Sequence, residues 1–366
     1  MFEYIFVFFI VIVISICFEL SKSKWVKGIL GISIVLILSI FGGVRDLNIG
    51  TDVLIYGRKS FESALIYDSF FKLYNYLKLD VGYLFLTFII SRFSGNINFF
   101  LFILQLICNA VVFKVLANNK NKGSVTIGLI IYLGIYYCRT FNFLRQSLAL
   151  VVVLYAYKFL DEDKDIKYII SVLFASLFHS TALVALVAII FKIISKRKDR
   201  KALLFIIFSI SFVLSLTLDK VIPLLYNIGL LPYKYYEYIF KYVNTSTFID
   251  WVDIAYKLLW IGLYVVVFNK REYDSKNNFY FSLLVLDFII FNFRRTLLYT
   301  DRIALYFGFV QIFFIPQIIE KSTKDRKTKM IVYMVTVAVT LLFWYMKFVK
   351  QGSCEVYPYT SQILNI

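Results

Sequence analysis

The chain has 366 residues, 60% of them hydrophobic, and a formal net charge of +17; its mean hydropathy is +0.77, whereas soluble domains sit near roughly 45–50% apolar. That excess excludes an ordinary soluble enzyme. The apolar runs do not alternate with polar residues as barrel strands would, so the spans are helices, and the Lys and Arg residues lie in short loops between the runs instead of forming a basic domain for nucleic acid.

In chain order, apolar segments are predicted at about 4–18, 28–44, 81–93, 98–116, 125–138, 143–159, 167–178, 181–194, 202–219, 252–268, 278–293, 303–319 and 329–347. The longer ones approach the roughly 20 residues that a helix needs to cross about 30 Å of hydrocarbon. The first, "YIFVFFIVIVISICF", has Glu3 before it and Lys22, Lys24 and Lys27 after it. A secretory signal has its positive charge first, so this is read as a permanent helix with its N-terminus outside. The longest connections are Arg45–Asp80 and Lys220–Trp251. The expected fold is one all-α polytopic membrane domain over 1–366, a GT-C-like bundle of about 12 spans plus short interfacial or re-entrant helices.

Charge orients the loops. Lys-rich stretches recur at 22–27, 118–122, 161–167, 192–201, 269–276 and 320–329, and the positive-inside rule assigns them to the cytoplasm. Placing all six there requires that 81–93 not cross, and that "YIISVLFASLFHSTALVALVAIIF" dip in and return as two half-helices around His179. The alternative is one helix from Lys167 to Lys192 with 81–93 crossing, which evens the Lys and Arg count on the two sides; the first scheme is preferred. Both put Gly43–Asp80, Lys220–Trp251, Arg294–Arg302 and the C-terminal tail outside.

The 28 Tyr and 39 Phe are read mainly as interfacial anchors, and the Tyr-rich "YKYYEYIFKYV" as an amphipathic surface segment. Cys17, Cys108, Cys138 and Cys354 are not at ligand spacing, and there is a single His, so a metal site is not expected.

Several polar residues interrupt or border the apolar runs. In "GGVRDLNIGTDVLIY", Gly42 and Gly43 end a segment, and Arg45 and Asp52 stand at the lipid–water boundary, where a surface ion pair contributing about 0–1 kcal/mol is the plain alternative to a functional role. "RTFNFLRQSLAL" carries Arg139, Arg145 and Gln146, "LFHST" carries His179, and "NFRRTLLYTDRIALYF" carries Arg294, Arg295, Asp301, Arg302 and Tyr306. Ionised groups at membrane depth cost several kcal/mol unless paired or wet, and their common outward placement suggests one shared cavity. Arg145, Arg294, Arg295 and Arg302 could cradle a pyrophosphate, which the planar guanidinium grips better than Lys does. Asp52 and His179 are the proton acceptors among these motifs, His179 with a structural role as an equal alternative.

At these residues the chain resembles the EpsG family of exopolysaccharide polymerases, distantly related to Wzy O-antigen polymerases. The Gly-x-Arg-x4-Gly-x-Asp-x3-Tyr pattern reads Gly43, Arg45, Gly50, Asp52, Tyr56, with Thr51 before the Asp. Arg145, Gln146 and Ala149 match Arg-Gln-x-x-Ala; Phe178, His179, Ala182 and Leu183 match Phe-His-x-x-Ala-Leu; Arg302 and Tyr306 match Arg-x3-Tyr; Pro358 and Tyr359 match a terminal Pro-Tyr. Before the third segment the chain departs from the family's Glu-Pro-Gly: Asp80 keeps the carboxylate and Val81 replaces the Pro.

The resemblance implies a capsule- or exopolysaccharide-forming, glycosyltransferase-type polymerase in the bacterial plasma membrane, joining undecaprenyl-pyrophosphate-linked oligosaccharide units at the outer face. No soluble cofactor is implied. Asp52 or His179 would act as base, and Arg45, Arg145, Gln146, Arg294, Arg295, Arg302, Tyr56 and Tyr306 would bind pyrophosphate or glycan. The expected partners are the lipid-linked oligosaccharide, the bilayer, and a flippase and chain-length regulator of the same pathway, with no nucleic acid. The competing readings are a flippase or exporter of the lipid-linked glycan, which should show pseudo-symmetric halves, and a membrane acyltransferase, which leaves the clustered Arg unexplained.

Overall fold

The computed structural model describes residues 1–118, 123–230, 233, 236–237, 250–268, 275–295, 297, 299–322 and 325–366; most of the Tyr-rich stretch after 230 lies outside them. Every regular element among the described residues is helical. The chain divides into two compact units, Met1–Leu183 with Gln311–Ile366, and Val184–Val310.

The first unit contains α1 (Phe2–Leu20), α2 (Lys24–Gly43), α3 (Lys59–Ile66), α4 (Phe70–Leu77), α5 (Val81–Phe93), α6 (Ile97–Ala117), α7 (Val125–Ile131), α8 (Cys138–Asn142), α9 (Leu144–Asp161) and α10 (Asp165–Ser176). In the second lie α11 (Ala188–Ser195), α12 (Arg200–Asn227), α13 (Trp251–Phe268), α14 (Ser275–Asn292) and α15 (Thr300–Gly308). The chain then rejoins the first unit as α16 (Gln311–Ser322) and α17 (Arg326–Trp344). Turns of π-helix occupy Val53–Arg58, Tyr132–Tyr137 and Tyr345–Lys350.

Among the described residues, four helices are long and apolar enough to cross a membrane: α1, α2, α6 and α17 with its π-helical extension to Lys350. The number rises to six when two bent helix pairs each count as one span. The sequence leads one to expect about twelve. The remaining apolar segments are shorter, broken, or more charged; α9, for example, has the length but carries Arg145, Lys158 and Asp161. Val81–Phe93 has 13 residues, about 20 Å of helix and short of the hydrocarbon thickness. The apolar stretch around His179 is interrupted: α10 ends at Ser176, residues 177–179 leave the helix, and a 3₁₀ segment begins at Ser180.

In the first unit α2 packs on α1 and α6, α6 on α9, and α9 on α10, while α7 is held by α1, α16 and α17. Close approach of α2 to α6 depends on glycine. A Cβ on Gly43 would sit 2.6 Å from the Phe102 Cβ and 2.8 Å from its Cα, and one on Gly31 would strike the Phe113 ring. The pairing of 43 with 102 and 31 with 113 makes α2 and α6 antiparallel. Polar groups buried between them are matched, as membrane depth requires: Tyr132 donates to Asn109 Oδ1 at 2.7 Å, and Asn109 Nδ2 donates to Ser39 Oγ at 3.1 Å. In the second unit α14 is central, packed by α11, α12, α13 and α15.

Candidate functional site

Residues 44–50 form a tight loop after α2, and helical backbone resumes at Thr51. The backbone bends at Gly50, whose φ of +88° is in the left-handed region that disfavours a side chain, and a Cβ there would lie 2.6 Å from the Phe141 carbonyl oxygen. Arg45 is fully buried. Its guanidinium donates to the carbonyls of Gly42, Ile49 and Phe141, the last at 3.0 Å, and sits 4.5 Å from the Phe141 ring centre. It thus ties the C-terminal end of α2, where unpaired carbonyls favour a cation, to the loop and to α8. Burial lowers the Arg45 guanidinium to about 10, so it stays cationic at neutral pH. From the other side, Asn98 Nδ2 donates to the Gly43 and Arg45 carbonyls at 2.8 and 3.0 Å.

The C-terminal tail closes over the same loop. The Asp46 amide donates to the Thr360 carbonyl, the Gln362 amide to the Asp46 carboxylate, and the Gly50 amide to the Glu355 carbonyl, at 3.0, 2.8 and 3.1 Å. Thr51 donates to the Glu355 carboxylate. Tyr359 stacks on Phe41 at 4.1 Å and donates to the Phe41 carbonyl at 2.7 Å, and Tyr4 donates to the Val356 carbonyl at 2.8 Å. Of the terminal Pro-Tyr pair, Tyr359 is buried against Phe41 at the end of α2, while Pro358 is exposed.

Loop geometry then positions Asp52. Its amide donates to Asn142 Oδ1 at 2.9 Å, and the π-helical turn that follows carries Tyr56. Arg145 opens α9, with its guanidinium 4.2 Å from the Tyr56 ring centre and 2.7 Å from an Asp80 carboxylate oxygen. Both charged side chains keep a little exposure, 17% for Arg145 and 16% for Asp80. The Tyr83 hydroxyl, 3.0 Å from Ser60 Oγ, lies within electrostatic reach of both Arg145 and Asp52. Asp52, Tyr56, Asp80 and Arg145 therefore share one neighbourhood. Gln146 is buried in the first turn of α9.

His179 approaches from α10. Helices α9 and α10 are antiparallel, with Tyr157 stacked on Tyr168 at 5.8 Å, and that register brings the end of α10 level with the first turn of α9. The Gly82 amide donates to the Leu177 carbonyl at 2.7 Å, which pins the 177–179 turn to the start of α5, two residues from Asp80. His179 Nδ1 is 2.7 Å from Thr181 Oγ1.

Arg294, Arg302 and Tyr306 belong to the second unit. Arg294 Nη1 lies 3.4 Å from a carboxylate oxygen of Asp250 and 3.5 Å from one of Asp301. The Arg302 guanidinium is 4.8 Å from the Tyr299 ring, and Tyr306 is buried in α15. The side chain of Arg295 lies outside the described residues. A further pair, Lys257 with Asp287, is almost wholly buried between α13 and α14; a lone Lys and a lone Asp far apart in sequence gave no signal of it. Of the first unit's site residues, Asp80 was signalled by its place before 81–93, whereas Asn142 and Tyr83 read as ordinary membrane residues.

The family model for the EpsG family matches residues 28–361, a stretch that contains the motif loop, Arg145, the 177–179 turn and the tail through Ser361. The chain belongs to the EpsG family. It is accordingly a membrane protein of exopolysaccharide polymerase-like type, as its EpsG motifs imply. No curated protein and no solved structure matches the chain.

Proposed function

We propose that this EpsG protein is a glycosyltransferase-type polymerase that joins undecaprenyl-pyrophosphate-linked oligosaccharide units at the outer face of the plasma membrane, in a GT-C-like bundle whose shorter helical pieces complete about twelve crossings. A hydroxyl of one lipid-linked unit attacks the anomeric carbon of the glycan on another. The new C–O bond forms as the bond to pyrophosphate breaks, the lipid pyrophosphate leaves with the electron pair, and Asp52 or His179 accepts the hydroxyl proton. Arg145 neutralises the leaving pyrophosphate, the electrostatic stabilisation that usually dominates such steps. Asp80 and Tyr56 hold its guanidinium in place, and Arg45 positions the loop from inside. Arg294 and Arg302 are proposed as glycan or phosphate contacts of the second unit, with Arg295 and Tyr306. A flippase and a chain-length regulator are the proposed pathway partners.

The observation that carries this reading is Arg145 itself: a cation at the start of α9, aligned by the Asp80 carboxylate and by the face of Tyr56, four residues after Asp52. Purified protein supplied with lipid-linked repeat units should form polymer. Arg145→Ala and Arg145→Lys should each abolish it, because Lys lacks the planar fork. Asp52→Asn and His179→Gln assign the base: the variant that loses the acidic limb of the pH–rate profile has lost it. Normal polymer from both Arg145 variants would refute the role given to that residue, and transbilayer movement of the lipid without glycan linkage would refute the polymerase.

A further inference from the structure

The end of the first unit away from the motif loop carries a feature that glycan polymerisation leaves unused. A groove of about 420 Å³ runs between α1, α2 and α6, lined by Phe18, Gly28, Ile32, Leu36, Ala110 and Phe113, with Lys27 and Lys114 also on its wall. The two lysines stand at the same end because α2 and α6 are antiparallel. From Lys27 to Leu36 the groove follows α2 for about 14 Å, close to half of the roughly 30 Å hydrocarbon thickness. That length matches one leaflet, and the two cations stand at one end of it, as headgroup contacts would.

Those cations are held in place. Lys27 Nζ lies 5.3 Å from the Phe18 ring and Lys114 Nζ lies 5.2 Å from the Tyr155 ring. Among the described residues neither makes an ion pair. Glu19, at the end of α1, is turned to α7, where it accepts from Ser124 and from the Thr126 amide. Lys158 shares the Tyr155 ring and adds a third positive charge.

We propose that this groove binds one anionic phospholipid, with an acyl chain along α2 and the phosphate between Lys27 and Lys114. A zwitterionic lipid would fill the apolar part but would bring no net charge to the lysines. The substrate lipid of the polymerase reading is a different molecule in a different place, since α2 has 20 residues, about 30 Å, between the lysine end and the motif loop. The site does not depend on that reading.

Gly28 supplies a test, because a Cβ there would meet nothing within 4 Å; Gly28→Leu adds a side chain to the groove wall where the backbone has room for one. Protein purified in mild detergent is titrated with phosphatidylglycerol or phosphatidylcholine, and bound lipid is counted by native mass spectrometry. The wild type should retain one phosphatidylglycerol per monomer in preference to phosphatidylcholine. Removing each lysine should weaken the preference about fivefold, and Lys27→Ala with Lys114→Ala about 25-fold, the effect of about 1 kcal/mol per basic residue near an anionic headgroup. Gly28→Leu should lose the lipid with both lysines intact. Equal retention of the two lipids overturns the proposal, as does retention unchanged in Gly28→Leu, or a wild-type dimer that excludes lipid and dissociates in Gly28→Leu. If the double-lysine variant does not elute as a folded species, the Gly28→Leu arm decides alone.

Discussion

Arg45 and Arg145 have the same guanidinium and opposite surroundings. Arg45 is enclosed by three backbone carbonyls and an aromatic ring, so Arg45→Ala leaves buried acceptors without donors at about 1–3 kcal/mol each and opens a cavity as well. The expected outcome is loss of more than about 3 kcal/mol of stability, seen as a lower melting temperature in detergent and less folded protein in the membrane; activity falls because the loop is lost. Arg145 keeps some exposure and one ion pair. Arg145→Ala should change stability by no more than about 1–2 kcal/mol while cutting the rate of polymer formation about 10²-fold or more, the usual effect of removing one group that stabilises developing charge. The discriminating measurement is melting temperature against rate for the two variants side by side. A matching stability loss in both would deny Arg145 its catalytic place. In the sequence the two residues are alike, each an Arg at the edge of an apolar segment. Which one faces inward is set by the Phe141 carbonyl, 96 positions from Arg45, and local spacing holds no record of it.

At the scale of elements, the length and non-alternation of the apolar runs made the helices legible, and the break at His179 was legible as a conflict between segment length and charge. The lining of the motif loop was not. Thr51 meets Glu355 across 304 positions, and no helix or turn propensity in "SCEVYPYTSQ" hints that it closes over "VRDLNIGTD". The π-helical turn at 53–58 was equally hidden, because apolar spacing does not distinguish one wide turn from an α-helical one. The tail makes a prediction of its own. Tyr359→Phe keeps the stack on Phe41 but removes one hydrogen bond, so it should cost about 1 kcal/mol and leave activity largely intact. Truncation after Gly352 removes Glu355, Tyr359, Thr360 and Gln362 together. It should loosen residues 44–52, raise their hydrogen exchange, and abolish polymer formation while the helices stay folded by circular dichroism. Full activity in the truncated protein would show that the loop stands without its cover. Gly50→Ala attacks the same place from the other side: positive φ and the Phe141 carbonyl both oppose the new methyl group.

Across the first unit as a whole, the chemistry sorts to two ends. One end gathers the motif loop, the tail, the starts of α5 and α9 and the 177–179 turn through the contacts already described. The other gathers Lys24 and Lys27, Lys114, Lys158, and Lys329 paired with Glu320. The proposed function puts the motif end outside and this lysine end in the cytoplasm, the side the positive-inside rule favours for basic loops, and that sidedness can be measured. In a background with Cys17 and Cys354 replaced, which leaves the two buried thiols of Cys108 and Cys138, single cysteines at Asn48 and Gln362 should react with a membrane-impermeant maleimide on intact cells. Cysteines at Lys24, Asn118 and Lys164 should react only after permeabilisation. His179→Cys should follow the first group, slowly, because the turn at 177–179 is joined to Gly82 and stands level with Arg145. Labelling of His179→Cys only after permeabilisation would detach it from Asp52 and Arg145 and leave Asp52 as the sole base. The reverse pattern at Asn48 and Gln362 would turn the motif end to the cytoplasm, where a lipid-linked donor presented outside could not reach it.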